Sequence, residues 1–317
     1  MIPKSGKIKV LYIAGEGRSG STILGNILGQ VEGFFHIGEL RQVWIPGFIQ
    51  NMPCGCGVPF RECPVWRAIF EKAFGGTDQI DLEELFQRYQ DGSRTRHIPR
   101  VLLPGGNAFL KSRLGIYLPT IARLYRAIRD VTASEVIVDS TKRPIDAFVL
   151  KIIPDLDLYI VHLIRDSRAV AYSWTRKKRQ TGTDQFLPRR GPAQSSLTWN
   201  LFNFATPLLQ TSRSNRYLRL RYEDFVDNPR TATKNILDFI GRKSSTAPFV
   251  SDREAELTTN HGIMGNPDKF NVGRIMLRAD TEWEAQMSRW DWLSVTMLTW
   301  PWLLQYGYPI LCHARKK

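Results

Sequence analysis

Cysteine is scarce in this chain, with four residues in 317, and that density excludes a fold stapled by disulfides. Three of the four lie together, Cys54, Cys56 and Cys63 within CGCGVPFREC. Their spacing suits a metal or a bridge, but zinc takes four ligands and no fourth stands nearby in the sequence. The segment is therefore read as a structural loop, and no metal is expected. No apolar run reaches bilayer length: Trp292 to Leu304 is too short and contains Pro301, so it reads as a buried or surface-docking helix. Met1 to Lys9 is polar and basic and leads into an apolar run too brief for a secretion signal, which gives a cytoplasmic location as the expectation. Internal repeats and low-complexity tracts are also missing.

Acid is in short supply relative to base. With 44 Lys and Arg against 30 Asp and Glu the net charge is +14, and a surplus of that size gathers anionic ligands through its summed field. Nucleic acid, a membrane face, an acidic glycan or a phosphorylated nucleotide would all answer to it. Apolar residues make up 43% and aromatics 11% of the chain, enough for a sizeable core and too much for disorder. One domain spanning residues 1–317 is expected.

The order of elements narrows the class. KIKVLYIAG, Lys7 to Gly15, reads as a strand, and GRSGSTILGNILGQ continues into a helix with Ile23, Leu24, Ile27 and Leu28 at helical spacing. A short strand from Gly33 to Ile37 sets Glu39 just beyond its end. Further strands are read at Glu135 to Asp139, Leu158 to Ile164 and Arg216 to Arg221, and a helical insertion at about residues 66–132. Alternating strands and helices predict an α/β protein, a P-loop-like three-layer α/β/α arrangement with a mostly parallel central sheet, and ligands at the carboxyl ends of its strands. Thr181 to Ser196, rich in Gly, Pro and Ser and carrying Arg189 and Arg190, is either a lid or a plain surface loop.

The loop after the first strand is the informative one. A glycine-rich turn between strand and helix directs backbone N–H groups and a helix N-terminus at one anion. GEGRSGST supplies Gly15, Gly17 and Gly20, but Ser21 stands where a nucleotide-hydrolysing P-loop has lysine, and the cation is Arg18 instead. Nor does an aspartate stand out as a magnesium ligand at the end of an apolar strand, Asp139 being the nearest. A P-loop-like kinase is accordingly an alternative, not the first reading.

Taken together, GRSGST after strand one, and LIRDSRAVAYSWTRKK with Arg165 and Ser173 eight residues apart, resemble the phosphosulfate loop and 3′-phosphate segment of sulfotransferases that use 3′-phosphoadenosine 5′-phosphosulfate (PAPS). LRLRYEDFVDNPRTATKNILDFIG, with Tyr222, resembles the family's strand and helix beside the nucleotide, and HGIMGNPDKFNVGRI its late segment over the 3′-phosphate. HIGELR places Glu39 where protein-tyrosine and bacterial carbohydrate members carry a glutamate. The resemblance is looser over the helical insertion, where acceptors are usually bound.

The resemblance implies roles. Arg18, Ser19, Gly20, Ser21 and Thr22 would hold the 5′-phosphosulfate. Arg165 and Ser173 would hold the 3′-phosphate, with Arg176, Lys177 or Lys178 adding a cation and Tyr222, Asn266, Lys269 and Gly273 completing the nucleotide site. Glu39 would take the acceptor's proton, and Lys142, in DSTKRP, would neutralise the leaving oxygen. Ser140 and Thr141 as helix caps, with Lys142 merely exposed, is the structural alternative. His36, His162 and His261 are rival bases, but the first and second lie in apolar strand runs. Because a sulfuryl group carries less charge than a phosphoryl group, no metal is expected in the reaction. The acceptor would be a hydroxyl of a carbohydrate, an aryl group or tyrosine, a lipid or a secondary metabolite, and Trp44, Phe48, Arg113 and Tyr117 would suit a glycan or aryl ring. A non-enzymatic basic protein binding nucleic acid or membrane remains the other alternative. It calls for basic residues interleaved with aromatics on one element, whereas here they concentrate around phosphate-shaped loops.

Overall fold

The computed structural model describes residues 6–76, 80–178, 186–210, 216–242 and 247–311. In chain order the elements begin with β1 (Ile8–Ala14), α1 (Ser21–Gly29) and β2 (Phe34–Gly38). The helical insertion follows as α2 (Pro64–Phe74), α3 (Leu82–Gly92), α4 (Ile98–Leu102), α5 (Gly106–Leu114) and α6 (Tyr117–Thr132). Next come β3 (Val136–Lys142), α7 (Pro144–Lys151), β4 (Leu156–Ile164), α8 (Ser167–Thr175), α9 (Pro192–Ala205), β5 (Tyr217–Arg221), α10 (Tyr222–Asp227) and α11 (Pro229–Phe239). The chain closes with β6 (Glu254–Leu257), β7 (Gly273–Met276), α12 (Glu282–Gln286) and α13 (Arg289–Gln305).

Five strands form one sheet in the order β2-β3-β1-β4-β5, every pairing parallel. Parallel strands covered on both faces must be apolar on both, and β1 shows why IKVLYIA was legible as a strand. Its Ile8, Val10, Tyr12 and Ala14 enter one core with the insertion and α7, while Leu11 and Ile13 enter the other with α1, α10 and α11. In α6, Tyr117, Ile121, Leu124, Tyr125 and Ile128 share one buried stripe, a helical period that fixes the face laid on the sheet. The α/β expectation thus holds, with a separate antiparallel pair, β6·β7, against α1.

β1 lies between β3 and β4, so the connections leaving its neighbours diverge at its carboxyl end, which is where open α/β sheets collect ligands. β3 runs three residues past the expected Asp139 to Lys142, with Ser140 and Thr141 buried in it. They do not cap a helix. α13 is one-sided: Val295, Thr296, Thr299 and Leu303 are buried, while Trp290 is 81% and Met297 66% exposed. Among the described residues no helix is long and apolar enough to cross a membrane.

Candidate functional site

The β1–α1 loop has the conformation an anion site needs. Gly20 precedes α1 at φ 88°, and a Cβ there would lie 2.5 Å from the Tyr222 ring; both facts require glycine. Arg18 also adopts a positive φ, 70°. Its guanidinium donates to Asn266 Oδ1 and stacks over Trp174 with Cζ 4.8 Å from the ring centroid. Burial lowers the Arg18 pKa, as expected for a cation drawn out of water. Ser19 is 1% exposed and its hydroxyl has no partner among the described residues, an orphan that an anion in the loop would satisfy. Ser21 and Thr22 are buried in the first turn of α1, and Thr22 Oγ1 accepts the Asn266 N–H at 3.3 Å.

Glu39 leaves the end of β2, its backbone N–H donating to Ile263 O at 2.8 Å. Lys142 ends the neighbouring β3 at φ 75°. The two chain ends bring Lys142 Nζ to 2.5 Å from Glu39 Oε1, with the side chains 15% and 12% exposed. Gly15 N–H bonds Lys142 O at 3.0 Å, so the loop, the lysine and the carboxylate form one cluster. Arg18 feels Glu39 electrostatically.

Arg165 follows β4 directly and is 5% exposed. Its Nη1 donates to Arg18 O at 2.9 Å, its Nη2 pairs with Asp280 at 3.3 Å, and its Cζ stands 4.6 Å from the centroid of the Tyr222 ring. Ser173 is buried on α8. Beyond that helix, Lys177 reaches over the Phe186 ring at 4.1 Å and Arg176 pairs with Glu282 at 2.7 Å. Lys178 interacts electrostatically with Arg18 and Asp268, and burial lowers its pKa; of the three cations it stands in the field of the loop. Asn266 joins the loop, whereas the Lys269 ammonium turns away to Pro53 O at 2.7 Å, and burial pulls its pKa down to about 8. Gly273 sits in β7 opposite Leu257.

Two residues of the site escaped sequence reasoning. Glu16, inside the loop and 2% exposed, pairs with Arg190 at 3.0 Å. Burial pushes its carboxyl up to about 7, against the pull of the Arg190 and Lys142 cations. Trp174 carries two guanidiniums against its ring, Arg18 and Arg190, the latter 4.1 Å from its ring centroid. The glycines of GEGRSG drew attention to themselves and not to the acid among them. Of the stretch 181–196, residues 181–185 lie outside the described residues; the Arg190 side chain reaches the loop at Glu16, and its backbone N–H donates to Trp174 O at the end of α8 at 3.3 Å.

Other expectations do not meet the site. His36 is held by Asn26 and Ser140 at 3.2 and 3.0 Å, and burial depresses it to about 3. His162 bonds Tyr217 at 2.7 Å and is depressed equally far by burial. Both are core residues, and His261 faces cysteines. Asp139 accepts from Tyr125 at 2.6 Å and from Thr141 N–H at 2.8 Å on the insertion side, so it is not presented to the loop as a magnesium ligand. Trp44, Phe48 and Tyr117 are corrected outright: at 0, 7 and 3% exposure they pack edge-on with Phe70 and one another inside the insertion. A cavity beside them, lined by Arg41, Tyr117, Tyr125 and Thr141, measures about 20 Å³, room for a single water.

The profile described as the sulfotransferase domain matches residues 9–269. A search of curated protein sequences finds no match. Among solved structures, the sulfotransferase domain of the Synechococcus PCC 7002 olefin synthase is similar over 98% of both chains, at 18% identity and a TM-score of 0.52. The sulfotransferase domain from the curacin biosynthetic pathway is similar over 96% of this chain and 99% of its own, at 15% identity and a TM-score of 0.55. At such identities the likeness is one of fold.

Proposed function

Because the chain belongs to the sulfotransferase domain family, and so transfers a sulfuryl group, we propose that its donor is PAPS, its acceptor a hydroxyl, and its base Glu39. The observation that carries the reading is the Glu39–Lys142 pair at 2.5 Å beside the Arg18 loop: a proton acceptor and a cation for the leaving oxygen, brought from two strand ends to one point.

The donor fits the residues. Ser19's orphaned hydroxyl, the α1 N-terminus and Arg18 answer the 5′-phosphosulfate. Arg165, with Tyr222 beneath its guanidinium, answers the 3′-phosphate. In the reaction the acceptor oxygen attacks sulfur in line with the sulfur–oxygen bond to the 5′-phosphate. As the new bond forms the old one breaks, and its electron pair stays on the phosphate oxygen, where the Lys142 ammonium meets the growing charge. The acceptor's proton passes to Glu39. The products are a sulfate ester and 3′,5′-diphosphoadenosine. The acceptor class stays at a hydroxyl of a carbohydrate, aryl group, lipid or secondary metabolite.

Incubation with radiolabelled PAPS and pooled hydroxyl acceptors tests the reading. Label should move to an acceptor with the native chain and not with Lys142→Ala; release of label only as inorganic sulfate from every pool would count against it.

A further inference from the structure

The fold completes the cysteine cluster with a residue about two hundred positions away. Cys54, Cys56, Cys63 and His261 bring one ligand atom each to a common point, all four atoms lying within 4.8 Å of one another. His261 Nδ1 is 3.3 Å from Cys63 Sγ and 3.9 Å from Cys54 Sγ, and Cys56 Sγ is 3.8 Å from Cys63 Sγ. A tetrahedral zinc ion with bonds of about 2.3 Å to sulfur and 2.0–2.1 Å to nitrogen has ligand atoms about 3.5–3.8 Å apart. The geometry points to a Cys₃His zinc site that is structural, closed by four protein ligands and separate from the transfer chemistry.

The surroundings are built for it. Cys54 and Cys56 share a tight turn in which Gly57, at φ 91°, donates to Cys54 O at 2.9 Å. His261 is held from both sides: its carbonyl accepts from Trp66 Nε1 at 2.8 Å, and its ring stacks on Phe35 with centroids 6.4 Å apart. Three thiolates against one divalent ion leave a single negative charge. The Lys269 ammonium, 2.7 Å from Pro53 O and so one residue from Cys54, is placed to offset it. A disulfide does not account for the arrangement, since sulfurs in a bridge lie about 2.05 Å apart and Cys56 and Cys63 are free. It also leaves His261 unexplained.

The position gives the ion its purpose. The segment holding His261 pairs Gly262 O with Gly55 N–H at 3.1 Å, crosses β2 through Ile263, whose carbonyl receives the Glu39 N–H, and reaches Arg18 and Thr22 through Asn266. This segment is irregular, and it is tied to the cysteine loop and α2 by the Gly55 N–H to Gly262 O bond at 3.1 Å and the Trp66 Nε1–H to His261 O bond at 2.8 Å. An ion clamping the segment to the cysteine loop would hold the backbone of Glu39 and the wall of the phosphate loop from one side.

The test is metal analysis of the full chain, purified without a metal-binding tag, by plasma mass spectrometry and a thiol count in denaturant without reductant. Zinc at about one ion per chain, released as thiols become reactive, with all four cysteines titrating, is the expected result. His261→Phe, which keeps a ring on Phe35 but no ligand, should lose the zinc, and His261→Cys, which restores four ligands, should keep it and melt near the native chain. Metal-free protein, a Cys56–Cys63 disulfide, or zinc retained in His261→Phe would overturn the site. None of these outcomes depends on sulfuryl transfer.

Discussion

Replacing Glu39 by Gln is the sharpest perturbation the site offers. The amide keeps the shape and can still accept from Lys142 Nζ, now 2.5 Å from the carboxylate, but it cannot take a proton. A positioned base contributes about 10²–10⁴-fold, or roughly 3–5 kcal/mol of barrier. Turnover should fall by at least about 10²-fold while the affinity for 3′,5′-diphosphoadenosine stays nearly constant, because Arg165, the residue proposed for the 3′-phosphate, is held by Arg18 O, Asp280 and the Tyr222 ring and not by Glu39. The loss should shrink with an acceptor whose hydroxyl is acidic enough to need little help, since general-base catalysis follows the acceptor's own acidity. Steady-state rates for an alcohol and an activated phenol, with calorimetric titration of the nucleotide, read all three quantities. A variant that keeps most of its turnover with the alcohol refutes the assignment. Glu16 is then the carboxylate to examine, being buried within the field of Lys142.

Arg165→Ala should weaken binding of the 3′-phosphorylated nucleotide by about 1.5–3 kcal/mol, the worth of a hydrogen bond to a charged group, and that of adenosine 5′-phosphosulfate far less; equal losses in calorimetry would place Arg165 elsewhere or mark a damaged fold. Glu16→Gln should change the pH dependence of stability. A carboxyl raised from 4.5 to about 7 in the folded chain binds its proton more tightly folded than unfolded, so the native chain loses stability as pH climbs through that window, by about 3 kcal/mol at most. The melting advantage of the variant should therefore grow from pH 5 to 8, and a constant difference would contradict the burial argument. Turnover should be indifferent to omitted magnesium and to EDTA over a short assay, because Asp139 is occupied by Tyr125 and Thr141; activity lost and then restored by magnesium would contradict transfer on fixed cations alone.

What could be read from the sequence was local. β1, its glycine turn and the apolar stripe of α1 follow from neighbours within a few positions, and periodicity sets Glu39 just past a strand end, but the roles of Glu39 and Arg165 are legible only through the resemblance of HIGELR and LIRDSRAVAYSWTRKK to the family's segments. Contacts across the chain left no such trace. Nothing in CGCGVPFREC announces His261, and nothing in the late segment says that Lys269 turns to Pro53 while Asn266 turns to Arg18. Trp44, Phe48 and Tyr117 show the other limit: an aromatic in a helical segment has the same letter whether it lines a groove or fills a core, and only the packing of the insertion decided for the core. Glu16 is illegible in the sequence for a related reason, since burial, not residue type, makes it unusual.

The nucleotide proposed for the site carries phosphate at both the 5′ and 3′ positions, and the most direct measurement is a comparison of ligands by thermal melting at equal concentration. 3′,5′-Diphosphoadenosine should stabilise the chain well beyond ATP with magnesium, by about 2.7 kcal/mol when present at a hundred times its dissociation constant. An equal or larger shift with ATP and magnesium would contradict it.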